Sequence, residues 1–400
     1  MTGPLTIAIE PAKALSASAE AQLLQDALAK NPVSATVQSK LGKVFNELDR
    51  FDETIVLLAP SLDRLDSDTA LVLARACLAR HDKEHLELAR MASDRALATT
   101  SNKSGIARAM AEQAKVQLRL GESDAAIAVL RAAIEIDHHC VAAFKHLAVQ
   151  LLRQGDPGAV EQLTGGLIAE GVCHARVLAS RTMALAAMGR DEEARSTTGI
   201  ARFLHRAQIT LPLGADDLAQ FNAALAAELT GNSAIRQGRY GTASVLTKRL
   251  DAPTVGKTPV WIALLEQVAQ MVERWANAML AADHPWLAAR PERAFLRSWC
   301  VVTEAEGNER WHMHPEGWLS GGYYPRVPPG LGGNADKAGY LAFGLPEGLP
   351  GVEAAKRFGE ISVLPEEGEL IVFPSHAHHR TYPHGRAAQR ICIAFDVIPA

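Results

Sequence analysis

The residues best suited to chemistry lie in two histidine clusters near the end of the chain. The first is Trp311-His312-Met313-His314-Pro315-Glu316. The second is Phe373-Pro374-Ser375-His376-Ala377-His378-His379, followed eleven residues later by Arg390 in Gln-Arg-Ile-Cys-Ile-Ala-Phe-Asp. On an extended strand successive side chains alternate, so His312 and His314 project to one face and can reach one metal. A third imidazole, His379, arriving from a distant strand would close one face of an octahedron and leave the others open. Open positions on a nitrogen-ligated ion are the logic of non-haem iron(II) sites that take up a cosubstrate and oxygen. Arg390 is permanently charged and pairs with a carboxylate through a planar fork, which suits the far end of a dicarboxylate bound beside the metal. Between His379 and Arg390 the chain turns through Pro383-His384-Gly385 and returns on a further strand.

The elements that must position these groups follow from patterning. From Phe295 onward short segments alternate with Gly/Pro turns: Phe295–Thr303, Gly321–Tyr324, Gly339–Phe343, Ile361–Leu364, Glu369–Phe373, Arg380–Tyr382 and Gln389–Val397. Many short strands at this spacing predict a sandwich or jelly roll. The first half is rich in Ala, Leu, Arg and Glu and predicts helices, whereas all six Trp and all five Tyr lie after residue 239. Within the helical half Gly121, Gly155 and Gly189 are spaced 34 and 34 apart, each closing an apolar helix. Small or β-branched residues (Ala126, Val160, Ala194) follow five positions on, where a second helix must approach closely. Earlier units are looser, with turns at Leu48-Asp49-Arg50 and Arg80-His81-Asp82. A 34-residue period resembles the tetratricopeptide repeat, whose stacked helix pairs present a concave surface to extended peptides or partner helices. Residues 205–292 read as a helical bridge, with helical periodicity over Leu218–Leu229 and Trp261–Ala282, buttressing the sheet. The expected fold is thus α+β and multidomain: an N-terminal α-solenoid of tetratricopeptide-like repeats (1–204), the bridge (205–292), and a jelly-roll domain (293–400).

Composition narrows the function classes. Four hundred residues exceed one typical core. A net charge of −4 supplies no basic field for nucleic acid or anionic lipid. No apolar run approaches a membrane span, and the opening Met-Thr-Gly-Pro-Leu-Thr-Ile is no secretion signal. The five cysteines (Cys77, Cys140, Cys173, Cys300, Cys392) show no C-x-x-C spacing and read as reduced thiols of a cytoplasmic protein. His138, His139 and His146 lack a matching acid or thiol pattern and read as surface or packing residues.

Residues 293–400 resemble the 2-oxoglutarate/iron(II)-dependent oxygenases, in particular a bacterial group that joins tetratricopeptide repeats to this domain. The residues that carry the resemblance are His-x-His-Pro-x-x-Trp-Leu-Ser-Gly-x-Tyr-Tyr (His312 to Tyr324), Phe373-Pro374-Ser375, His379, and Arg390-Ile-x-Ile-Ala-Phe. The layout is also similar to that of the aspartyl/asparaginyl hydroxylases, which likewise follow helical repeats. The resemblance implies a double-stranded β-helix, Fe(II), 2-oxoglutarate and O2 as reactants, and C–H hydroxylation coupled to decarboxylation of 2-oxoglutarate to succinate. The commonest oxygenase pattern is H-x-D/E, and here His314 stands where the acid would be. Three ligand sets stay open: His312, His314 and His379; His312 and His379 with water in place of the acid; or a shifted set using Glu316. Ser320, Tyr323 and Tyr324 are candidate hydrogen-bond partners of the cosubstrate carboxylate, and Cys392, facing the same side as Arg390, is another. Trp318 is a candidate substrate contact. His378 is expected on the opposite face from His379, and His384 in a solvated turn. A repeat array beside an oxygenase predicts capture of a protein or peptide substrate. The rival expectations are a small-metabolite hydroxylase whose repeats serve homodimerisation or partner docking, and a non-catalytic adaptor with a relic metal site.

Overall fold

A computed structural model describes residues 3–80, 82–212, 214–238, 240–279, 284–332 and 337–400. His81 of the turn expected at Arg80-His81-Asp82, and the end of the amphipathic stretch expected to reach Ala282, lie outside the described residues. The chain divides into two compact units, Leu15–Gln154 and a second made of Met1–Ala14 with Gly155–Ala400.

The first unit is a succession of antiparallel helices: Ala17–Lys30, Ala35–Glu47, Phe51–Leu58, Ser67–Leu78, Lys83–Thr99, Lys103–Leu120, Ser123–Ile136 and Val141–Arg153, with a 3-10 segment at Ala59–Arg64. Local chemistry sets the starts: the side chains of Ser16, Ser34, Asp66, Asp82 and Asn102 each accept from a backbone N–H of the first turn. Gly121 closes Lys103–Leu120 in the left-handed region (φ 84°), and the N–H of Glu122 reaches back to the carbonyl of Gln117. Only glycine enters that conformation without a Cβ penalty. Fully buried alanines (Ala70, Ala74, Ala89, Ala92, Ala109) let the helices approach closely.

Among the described residues the second unit holds eleven strands: β1 (Thr6–Ile9), β2 (His205–Gln208), β3 (Arg236–Gln237), β4 (Ser244–Leu250), β5 (Arg293–Glu309), β6 (Leu319–Arg326), β7 (Leu341–Phe343), β8 (Ile361–Val363), β9 (Glu369–Pro374), β10 (His379–Thr381) and β11 (Arg390–Pro399). The major sheet runs β2-β9-β6-β11-β5-β4-β3, with β1 pairing β5 in parallel; the minor sheet is β10-β7-β8. Alternation along β11 sorts the layers. Ile391, Ile393, Phe395 and Val397 are fully buried in the main core under the helices Leu218–Thr230 and Pro259–Ala278. Arg390, Cys392, Ala394 and Asp396 point the other way, between the sheets, where Phe343 and Phe373 also pack. Two sheets, antiparallel apart from β1, closing on one cavity are the double-stranded β-helix.

Two expectations are corrected. Residues 205–292 are more than a helical bridge, because β2, β3 and β4 are hydrogen-bonded members of the major sheet. Those strands are short and carry charged side chains, and β2 and β3 lie at the sheet edges, which hides their apolar alternation. The division also falls at Ala14/Leu15 and Gln154/Gly155 rather than near residue 204. Helices Pro157–Ala169, Ala175–Ala187 and Asp191–Thr198 share a compact unit with the sheet: Leu178 joins its main core, and Arg195 donates to the carbonyl of Phe358. Gly155 and Gly189 do take positive φ (76° and 77°), so the repeat turns hold beyond that division.

Candidate metal centre and cosubstrate chamber

His312 and His314 lie in an extended segment beyond β5 that forms no regular strand but is pinned to two neighbours. His312 exchanges backbone hydrogen bonds with His379 (both 2.9 Å), and the N–H of His314 donates to the carbonyl of Ser375 (3.0 Å). Met313, between them, turns away against Ala175 and Ala179. The predicted alternation therefore operates, although pairing is limited to isolated bridges.

One potential ligand atom from each of His312, His314 and His379 lies within 4.8 Å of the other two. Ring centroids are 4.1 Å apart for His312–His379, 5.0 Å for His314–His379 and 5.3 Å for His312–His314. Each Nδ1 is already committed to a protein acceptor: His312 to the carbonyl of Arg310 (2.7 Å), His379 to that of Ala377 (3.0 Å), and His314 to the carboxylate of Asp396. Holding the proton on Nδ1 leaves the Nε2 lone pair for a metal, as in histidine-ligated sites generally. Burial and the neighbouring imidazoles hold His312 at about 3 and His379 well below the ordinary histidine range. Both are neutral at pH 7, the form that binds a metal. The donor set fits one divalent ion.

Glu316 is outside this cluster. Its side chain is mostly exposed and pairs with Arg297 (2.8 Å), because Pro315 turns the chain outward after His314. Glu316 therefore does not join His312 and His379 in one cluster, as the shifted ligand set expected.

The three imidazoles line a chamber that continues along the inner face of the major sheet past Trp299, Tyr324 and Cys392 to Arg390. Arg390 is 4% exposed and donates to the carbonyl of Gly339 (3.1 Å). Among the described residues no carboxylate lies within ion-pair distance of it. A buried cation without an ionic partner is costly, so this end of the chamber favours an anion. Burial pushes the Cys392 thiol up to about 12 and the Tyr324 phenol well above its usual range, so both keep their protons. At Gly322 an added Cβ would lie 2.8 Å from Cys392 Sγ, so glycine keeps the floor of the chamber open.

Other candidates sit elsewhere. Ser320 is behind the chamber, donating to Asp396 (2.6 Å) and bonded to Ser375 (2.6 Å), rather than facing the chamber as a cosubstrate contact would. Tyr323 points into the opposite core and donates to Asn222. Trp318 is a core residue, not a substrate contact. It stacks on Trp286 (4.7 Å, 8°), and each indole N–H donates to the other's carbonyl. His384 is 1% exposed, with its ring against the carbonyl of Thr303, rather than solvated. His376 is buried and lies 3.1 Å from the carbonyls of Thr197 and Thr198. Two groups of the site escaped the sequence reading: Asp396, behind His314, and Glu309, in the chamber wall. Asp396 lies in phase with Arg390, Cys392 and Ala394, and that even spacing was the available signal. Glu309 lines the chamber in phase with Trp299, Val301 and Thr303 along β5, and that even spacing was likewise the available signal.

A double-stranded β-helix with three clustered histidines and an inward arginine defines the class that the comparisons describe. Residues 297–396, a quarter of the chain, match a family described as "Putative 2OG-Fe(II) oxygenase". Similar solved structures include a Pseudomonas putida prolyl-4-hydroxylase, at 17% identity over 51% of this chain and 98% of that one, TM-score 0.33. A tetratricopeptide protein of Thermus thermophilus is 21% identical over 45% of this chain and 87% of that one, TM-score 0.31. A 2OG-Fe(II) oxygenase family protein of Burkholderia pseudomallei is 14% identical over 52% and 90%, TM-score 0.31. No curated protein sequence matches the chain. The family match thus spans the segments that carry His312, His314, His379 and Arg390. No helix among the described residues is long and apolar enough to cross a membrane.

Proposed function

We propose that the protein is an Fe(II)- and 2-oxoglutarate-dependent dioxygenase that hydroxylates a C–H bond of a protein or peptide side chain. The observation that carries this reading is the single chamber joining three imidazoles, each with Nδ1 already bonded, to a buried arginine without an ionic partner. His312, His314 and His379 would hold the iron, which supplies oxygen activation coupled to decarboxylation of the cosubstrate. Arg390 binds the far carboxylate of 2-oxoglutarate by charge and fork geometry. Tyr324 and Cys392, both protonated, offer donors to the bound dicarboxylate, and Trp299 and Phe373 restrict water around it.

A second cavity of about 830 Å³ opens beside His312 and shares Glu309, His312 and Thr381 with the chamber. Its size supports a bulky substrate approaching on the His312 side, and the repeats support capture of an extended chain. The test is succinate formation by the full-length protein, dependent on both Fe(II) and 2-oxoglutarate. Loss in His379→Ala and in Arg390→Ala is expected, and normal turnover in both variants would sink the proposal. Mass analysis of peptides retained by the full-length protein addresses the substrate class: recovery of none that gains an oxygen atom would favour a small metabolite. Truncation at residue 200 cannot make that distinction, because it removes β1 from the sheet.

A further inference from the structure

The three histidines are not equivalent. His312 and His379 give their Nδ1 protons to neutral backbone carbonyls, whereas His314 gives its own to the carboxylate of Asp396. Asp396 is 8% exposed, and among the described residues no lysine or arginine pairs with it. The same oxygen accepts from Ser320 Oγ (2.6 Å), which is itself hydrogen-bonded to Ser375 Oγ (2.6 Å). The carboxylate is thus clamped from two sides and aimed at one ring. A buried carboxylate is costly without a compensating charge close by. A cation on the far side of that imidazole would supply it.

We infer that Asp396 is a positioning residue of the metal centre. It fixes the tautomer and orientation of His314 and provides, one side chain removed from the ion, the negative charge that an acidic ligand would bring. Ser320 and Ser375 hold the carboxylate in place. This inference rests on the metal-binding reading proposed above and adds to it why a histidine functions at the position of the usual acid. Carboxylate–histidine–metal relays raise ligand basicity, and loss of such an outer partner weakens metal binding by about 10- to 100-fold.

The experiment is an anaerobic titration of metal-free full-length protein with Co(II), read by its ligand-field absorption, with no substrate or cosubstrate present. Asp396→Asn, which keeps the shape and an acceptor oxygen but removes the charge, should weaken Co(II) binding by about 10-fold or more. In a His314→Gln background the same change should cost nothing further, because Asp396 acts through that ring. Wild-type affinity in Asp396→Asn would overturn the inference, as would an equal loss with and without His314. Should Asp396→Asn not fold, Ser320→Ala carries the test: weakened Co(II) binding supports the clamp and unchanged binding overturns it. If the wild-type protein gives no Co(II) bands at all, the metal-binding reading fails first and this inference with it.

Discussion

Arg390 offers the sharpest test of the cosubstrate reading. Its guanidinium is 4% exposed and donates to the carbonyl of Gly339, with no carboxylate at ion-pair distance among the described residues. Hydrogen bonds to a charged group contribute about 1.5–3 kcal/mol each. A two-pronged contact to the far carboxylate of 2-oxoglutarate is therefore worth about 3–6 kcal/mol, or roughly 10²- to 10⁴-fold in Kd at 1.4 kcal/mol per tenfold. Arg390→Gln retains a donor for the Gly339 carbonyl, so the lower part of that range is expected. Arg390→Lys keeps the charge but loses the fork and should cost about tenfold. The assay is anaerobic calorimetry of 2-oxoglutarate binding to Co(II)-substituted protein, with pyruvate as the control. Pyruvate keeps the keto-acid end and lacks the far carboxylate. Wild-type protein should prefer 2-oxoglutarate over pyruvate by roughly the factor that Arg390→Gln removes, and in the variant that preference should collapse. If Arg390→Gln binds 2-oxoglutarate as wild type does, or weakens both ligands equally, Arg390 does not read the far carboxylate.

Three further outcomes are expected. Gly322→Ala places a Cβ 2.8 Å from Cys392 Sγ and should weaken 2-oxoglutarate binding while leaving Co(II) affinity near wild type; unchanged cosubstrate affinity would show the floor to be unimportant. Trp318→Ala should destabilise the fold by about 3–5 kcal/mol, measured by urea unfolding, since it removes a buried indole, its stack on Trp286 and its hydrogen bond to the Trp286 carbonyl; a loss of turnover at unchanged stability would restore a substrate role. His376 has its folded pKa depressed by burial to about 3, below the ordinary histidine value of 6.5. The unfolded chain then takes a proton that the folded chain refuses. Stability is full above pH 6.5 and falls toward pH 3 by about 1.4 kcal/mol per pH unit for this residue. Unfolding midpoints of His376→Gln between pH 6 and 4 should show a shallower slope than wild type, and an identical slope would refute the assignment.

Most of the site was legible because its strands alternate cleanly. The even spacing of Arg390 and Cys392 puts both on the inner face of β11, and His312 and His314 share a face as two-residue spacing demands. What escaped has specific causes. Trp318 and Ser320 lie inside the motif that carries the family resemblance, and proximity in sequence to His314 made both look like chamber residues. The first is turned into the core by its stack on Trp286, and the second is drawn behind His314 by Asp396. The turn at Pro383-His384-Gly385 looked solvated, yet the imidazole folds back onto β5. The strands β1 to β4 were missed because a strand of two to seven residues that joins an existing sheet needs little apolar alternation of its own.

The parallel pairing of β1 with β5 has a practical consequence. Thr6 to Ile9 are matched to Arg293 to Leu296, and Leu5 and Ile7 are buried, with Leu5 exchanging hydrogen bonds with the side chain of Asn277. The sheet is therefore assembled from stretches on both sides of the helical unit in the sequence, which is covalently an insertion within it. A protease that nicks the loops of Leu15–Gln154 should yield two pieces on a denaturing gel, while the short amino-terminal piece still migrates with the sheet under native conditions. Fusing a tag directly ahead of Leu5 places it next to a hydrogen-bonded strand of the sheet, β1, which pairs with β5.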